Sequence, residues 1–72
     1  MTKVSKAAAR KAFNNGEYVH LVPSKANPAS MWFRDSMITV SKLRTPDFDQ
    51  IVQRFQYFNC NNQLGKRVAY YI

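Results

Sequence analysis

Apolar positions recur along this chain with two periods, one near 3.6 residues and one of two, and the change from one to the other marks its elements. In the stretch FDQIVQRFQYF, Phe48, Ile51, Val52, Phe55 and Phe58 span about 120° of a helical wheel, a stripe suited to a core. Tyr57 falls opposite, beside Gln50, Gln53 and Arg54, and is expected to be exposed. Thr45-Pro46-Asp47 supplies the start: Thr45 as N-cap, Pro46 at the first helical position, where no amide donor is needed, and Asp47 and Asp49 facing the positive end of the dipole. Residues 3–14, KVSKAAARKAFN, also predict a helix, being rich in strong formers and free of Gly and Pro. Val4, Ala8, Ala9, Ala12 and Phe13 share one half of it; Lys3, Lys6 and Arg10 crowd the other, with Lys11 near its edge. An apolar half made mostly of alanine buries little, so loose docking is expected. Asn14-Asn15-Gly16 ends the helix.

The period of two governs the remainder. Tyr18 to Val22 reads as a strand closed by Pro23, and residues 23–30 as an ordered loop. Met31 to Val40 reads as one bent strand, with Met31 and Phe33 on one face, Trp32 on the other, and Arg34-Asp35-Ser36 forming a bulge. After Gly65, Lys66 to Ile72 forms a last strand with Val68, Tyr70 and Ile72 on one face. The expected fold is α+β: a small two-layer domain of order α-β-β-α-β, its three-stranded antiparallel sheet covered on one face by the second helix. Residues 1–72 make one domain, with a basic amphipathic helix over 3–14 and the sheet-and-helix core over 18–72.

Composition narrows the setting. With 46% hydrophobic and 14% aromatic residues, the chain suits a folded globule, not a disordered tail. Its one cysteine cannot form an intramolecular disulfide, and Lys6, Arg10 and Lys11 break the early apolar run that a signal peptide would need. No segment approaches the roughly 20 apolar residues of a membrane span, so a cytoplasmic location away from membranes is expected. Eleven Lys and Arg stand against four acids, a net charge of +7, which favours polyanions and above all nucleic acid. Three cations near a helix N-terminus oppose the macrodipole, so helix stability alone does not account for Lys3, Lys6 and Arg10.

Specific chemistry is sparse. Continuing the second helix would place Asn59 on the apolar stripe, so the cluster Asn59-Cys60-Asn61-Asn62 reads as a helix stop with local hydrogen bonding, followed by reversal at Gly65. Cys60, His20 and an asparagine could in principle form a nucleophile and base, but the pattern is unspecific. One Cys and one His are too few for a structural zinc site, the four acids too few for a two-metal nuclease, and there is no glycine-rich phosphate loop. A non-enzymatic protein without cofactor or metal is therefore expected. No recognised nucleic-acid module is present, so binding would be independent of sequence. It would rest on Lys3, Lys6, Arg10 and Lys11 with Lys25, Arg34, Arg54, Lys66 and Arg67. Trp32, Tyr57 or Tyr71 could stack on unpaired bases or contact a protein.

Leu21-Val22-Pro23-Ser24-Lys25, Met31-Trp32, Asp47-Phe48-Asp49, the run from Phe55 to Asn62, Gly65 and Tyr70-Tyr71 together resemble a group of small proteins encoded by bacteriophages and mobile elements, notably of gut bacteria. The resemblance covers about residues 18–72 and leaves the basic first helix outside. It implies a phage or mobile-element origin, hence the cytoplasm of a host bacterium, and brings no activity, ligand or site residue with it. Small phage proteins often bind a host protein, so an inhibitor or modulator of a host defence or transcription factor is the alternative to nucleic-acid binding. A homodimer paired through an exposed last strand is a further expectation.

Overall fold

The computed structural model describes residues 1–44 and 46–72. Its elements are β1 (Lys3–Val4), α1 (Lys6–Asn14), β2 (Val19–Pro23), β3 (Ile38–Val40), α2 (Phe48–Asn59) and β4 (Val68–Tyr71). The fold is α+β, as the patterning predicts, but the order is β-α-β-β-α-β and the antiparallel sheet has four strands, arranged β1-β4-β2-β3. The additional strand comes from the start of the expected first helix. Ser5 has an extended backbone and its Oγ accepts the Ala8 amide (3.1 Å), so Ser5 is the N-cap and Lys3 and Val4 are left free to pair with Tyr71 and Tyr70. The last strand is consequently central, not an edge, which removes the dimer expected through it; the edges are β1 and β3.

The expected strand over residues 31–40 shortens to its last three residues. Asn27 Oδ1 accepts the Ala29 amide (3.0 Å) and Ser30 Oγ accepts the Trp32 amide (3.1 Å), and successive turns continue into a short 3-10 helix at Arg34–Ser36. Short polar side chains here satisfy backbone donors that a strand would have offered to the sheet. The second helix also begins later than expected. Asp47, not Pro46, stands at its boundary, with Oδ1 accepting the Gln50 amide (3.1 Å); Thr45, expected as the cap, lies outside the described residues.

Both helices pack on one face of the sheet. Ala9, Ala12 and Phe13 of α1 and Phe48, Val52 and Phe55 of α2 close over Val19, Leu21, Val40 and Tyr70. The Phe13 and Phe48 rings lie 5.2 Å apart. Contrary to the expectation of loose docking, α1 is an integral part of this core, because its alanines admit close approach and Phe13 supplies the volume. The opposite face is partly covered by the segment between β2 and β3, which sets Phe33 over Val22 and Ala69 with Tyr71 at its edge. Tyr57 is exposed as predicted, but Phe58, the last residue of the stripe, is 77% exposed. The stripe outruns a sheet whose edge strand is only three residues long.

Candidate functional site

The cations predicted as a binding stripe on the first helix have a different arrangement. Arg10 Nη2 donates to Asp49 Oδ1 at 2.6 Å, Lys6 Nζ lies 4.0 Å from the same oxygen, and the Arg10 guanidinium sits 5.8 Å from the centre of the Phe48 ring. Asp49 on α2 thus supplies the negative charge that the start of α1 lacks, which accounts for Lys6 and Arg10 through tertiary packing. The Arg10 hydrogen bond lowers the Asp49 pKa, with the charges of Arg10 and Lys6 acting in the same direction. Lys3 is not on the helix, and Lys11 stands exposed on α1.

Three other predicted cations come together at one end of the molecule. The Lys25 amide donates to the Leu64 carbonyl (2.7 Å) and the Ser24 amide to the Arg67 carbonyl (2.8 Å), so the turn after β2 lies against the chain entering β4, bringing Lys25 beside Lys66 and Arg67. Gly65 makes this approach possible. Its φ is +101°, and a Cβ there would meet Ser24 Oγ, the Lys25 amide nitrogen at 2.8 Å and Lys25 Cγ at 3.2 Å. The Gln56 Nε2–Lys66 carbonyl bond (2.9 Å) ties the same segment to α2. Among the described residues, Asp49 is the acid that Lys and Arg reach, leaving nine of the eleven cations exposed without an acidic partner. These include Lys42, whose Nζ donates to the Asn14 carbonyl (3.3 Å), and Arg44.

Lys3, Tyr71, His20 and Thr39 form one rung across all four strands on the face away from the helices. His20 Nδ1 and Thr39 Oγ1 share a 2.8 Å hydrogen bond. Partial burial lowers the His20 pKa, and the positive charges of the amino terminus and Arg34 lower it further. Cys60 packs against the helix-side core instead, so the two residues considered as nucleophile and base stand on opposite sides of the sheet. Its amide bonds the Gln56 carbonyl (3.3 Å), its Sγ donates to the Arg67 carbonyl (3.5 Å), and burial raises its pKa. Asn61 Oδ1 accepts the Gln63 and Leu64 amides (2.9 and 2.8 Å), so the amide cluster ends the helix and shapes the turn. Among the described residues there is no group of three or more His, Cys, Asp or Glu suited to a metal ion, and no helix long and apolar enough to cross a membrane.

The exposed aromatic residues are the other departure from a quiet surface. Trp32, 68% exposed, and Phe58 line one open groove of about 440 Å³ between the 26–36 segment and the end of α2, with Pro23, Phe33 and Leu64 beneath. Tyr57 packs edge-on against Phe58 with ring centres 4.9 Å apart, and Arg54 lies a turn earlier on α2, beside a second apolar hollow that Phe58 shares. Tyr71 is half-buried, its ring edge-on to Phe33 at 5.6 Å. Sequence periodicity assigned Phe58 to the core, and only the shortness of β3 shows otherwise. No family model, curated protein or solved structure matches the chain.

Proposed function

We propose that this chain is a non-enzymatic accessory protein, of the kind that bacteriophages and mobile elements encode, which binds nucleic acid or a nucleoprotein complex through its basic surface. The observation that carries this reading is the set of nine exposed cations with no acidic partner among the described residues. The fold uses Lys6 and Arg10 at Asp49, and Lys42 at the last carbonyl of α1; the others make no such contact among the described residues, and a polyanion would engage them. The natural centre of the contact is the Lys25, Lys66, Arg67 end, joined by Lys3 and Arg34 towards the open sheet face. Phosphate contacts of this kind give affinity without sequence preference.

The test is fluorescence anisotropy with labelled DNA and RNA across a salt series. On duplex DNA, log affinity should fall linearly with log salt at about −0.9 per phosphate contacted. Changing Lys25, Lys66 and Arg67 together to Gln should weaken binding and reduce that slope by about 2–3; Lys6→Gln should alter it little. Absence of binding even at low salt would overturn the proposal. The exposed Tyr57–Phe58 pair and Trp32 favour a second reading, a modulator that binds a host protein, for which capture from host lysate would survive nuclease treatment.

A further inference from the structure

The sheet ends at β3, and the ladder shows which of its backbone groups are left over. Thr2 and Ile72 exchange both of their backbone bonds, so Tyr71 turns its amide and carbonyl the other way, to His20. His20 therefore faces β4, and Thr39, which stands opposite His20 on β3, turns its own amide and carbonyl outward. Unmet main-chain groups at a sheet edge are a template for another strand. Beside this edge lies an open hollow of about 430 Å³, walled by Ile38 and Val40 of β3 and by Ile51, Arg54, Phe55 and Phe58 of α2. Because α2 packs chiefly on β2 and β4, its apolar stripe overhangs the place next to β3 and leaves Ile38 and Phe58 exposed. We propose that this edge is a docking site for an extended segment of a partner protein, apolar at alternate positions and acidic beside Arg54, taken up as a fifth strand.

Each part of the site selects one property of that occupant. The outward amide and carbonyl of Thr39 are answered by a polypeptide backbone in extended form, which meets both at once. The hollow lies on the helix side of the sheet, so it receives every second side chain of an added strand, and its aliphatic and aromatic wall suits apolar ones. Arg54 is the charged residue on that wall, with no Asp or Glu beside it and no ion pair among the described residues, so a carboxylate is the group that matches it. The net charge of +7 draws an acidic partner in the same sense. A second copy paired β3 to β3 would bring another Arg54, and another +7, to the place where a carboxylate is wanted. The site goes beyond the nucleic-acid reading: Lys25, Lys66 and Arg67 take no part in its lining.

The probe is the peptide Thr-Val-Thr-Glu-Thr-Val-Thr, whose Val and Glu share one face, titrated into the isotope-labelled protein and followed by amide NMR. It should shift the amides of Ile38, Thr39 and Val40, slow hydrogen exchange at Thr39, and bind about fivefold more tightly than the same peptide with Lys at its centre. Arg54→Glu, at an exposed position, should reverse that preference. N-methylation of the peptide's Thr amides, which face β3 when Val and Glu face the hollow, should abolish binding. Equal binding by the N-methylated peptide would overturn strand addition, and equal binding of the Glu and Lys peptides would overturn the acidic partner. Shifts confined to Lys25, Lys66 and Arg67, or no binding at millimolar peptide, would overturn the site while leaving the nucleic-acid reading intact. The same β3 shifts with oligo(dT) would reassign the edge to nucleic acid. A concentration-dependent dimer in sedimentation, with the Thr39 amide protected in it, would reassign it to a second copy.

Discussion

Gly16 and Gly65 each precede a strand and each have positive φ, +87° and +101°, but their surroundings differ. A Cβ at Gly16 would meet nothing within 4 Å, whereas one at Gly65 would press on the Lys25 amide nitrogen at 2.8 Å, a backbone atom that cannot rotate away. Alanine at either site takes on a left-handed conformation, costing about 1–2 kcal/mol. At Gly65 the collision adds about 1–3 kcal/mol, the usual range for overpacking. The stabilisation that Gly→Ala gains by restricting the unfolded chain, about 0.4–1 kcal/mol, is common to both and cancels in the difference. Gly65→Ala should therefore be the more costly by about 1–3 kcal/mol, a large share of the roughly 3–5 kcal/mol available to so small a domain. Urea denaturation followed by far-UV circular dichroism, with both variants at 25 °C, measures this. Equal midpoints at equal m-values would refute the claim that the Lys25–Gly65 approach supports the fold.

Four other outcomes are expected. Phe48→Ala should cost about 3–5 kcal/mol and leave little folded protein, while Phe58→Ala, ten residues on in the same stripe, should stay within about 0.5 kcal/mol of the parent, both by denaturant titration. Burial lowers the folded His20 pKa, so the unfolded chain binds the extra proton: stability should be full above the unfolded value of about 6.5 and decline as pH falls towards the folded one. His20 is bonded to Thr39 and flanked by Tyr71, the charges acting on it besides its burial are those of the amino terminus and Arg34, and His20→Gln should flatten the slope. Asp49 behaves in the same sense at lower pH, its contribution present above about 3.9 and lost as pH drops through its depressed folded pKa, so Asp49→Asn should shift acid unfolding. Cys60, with its raised pKa, should react with iodoacetamide near pH 8 more slowly in the folded protein than in urea; equal rates would show that its burial does not protect it.

The core side of the molecule was legible where periodicity is backed by a boundary signal. Phe48, Val52 and Phe55 were recoverable because a stripe at helical spacing has few alternative uses, and Gly65 because a glycine after an amide cluster marks a reversal. What escaped the sequence depended on partners distant along the chain. Lys3 and Val4 have no strand signature alone and become β1 only because Tyr70 and Tyr71 lie beside them. Lys6 and Arg10 looked surplus to a helix until Asp49, 39 residues beyond Arg10, was placed against them. The misreading of residues 31–36 had a local cause: Asn27 and Ser30 compete for backbone amides, a choice that alternating Met31, Trp32 and Phe33 disguise. Phe58 followed from that error, since a longer edge strand would have covered it.

The central position of β4 bears on how the protein is made. β1 and β2 never touch each other; each finds its partner in a strand whose last residue is Tyr71. A nascent chain stopped anywhere before β4 holds two helices and a β2–β3 pair with the middle of the sheet missing, so native structure must wait until Val68–Tyr71 has cleared the ribosome. The sheet thus closes only once β4 has emerged, and a ribosome stalled with residues 66–72 still in the exit tunnel should display a protease-sensitive product, however much of the amphipathic pattern has already emerged.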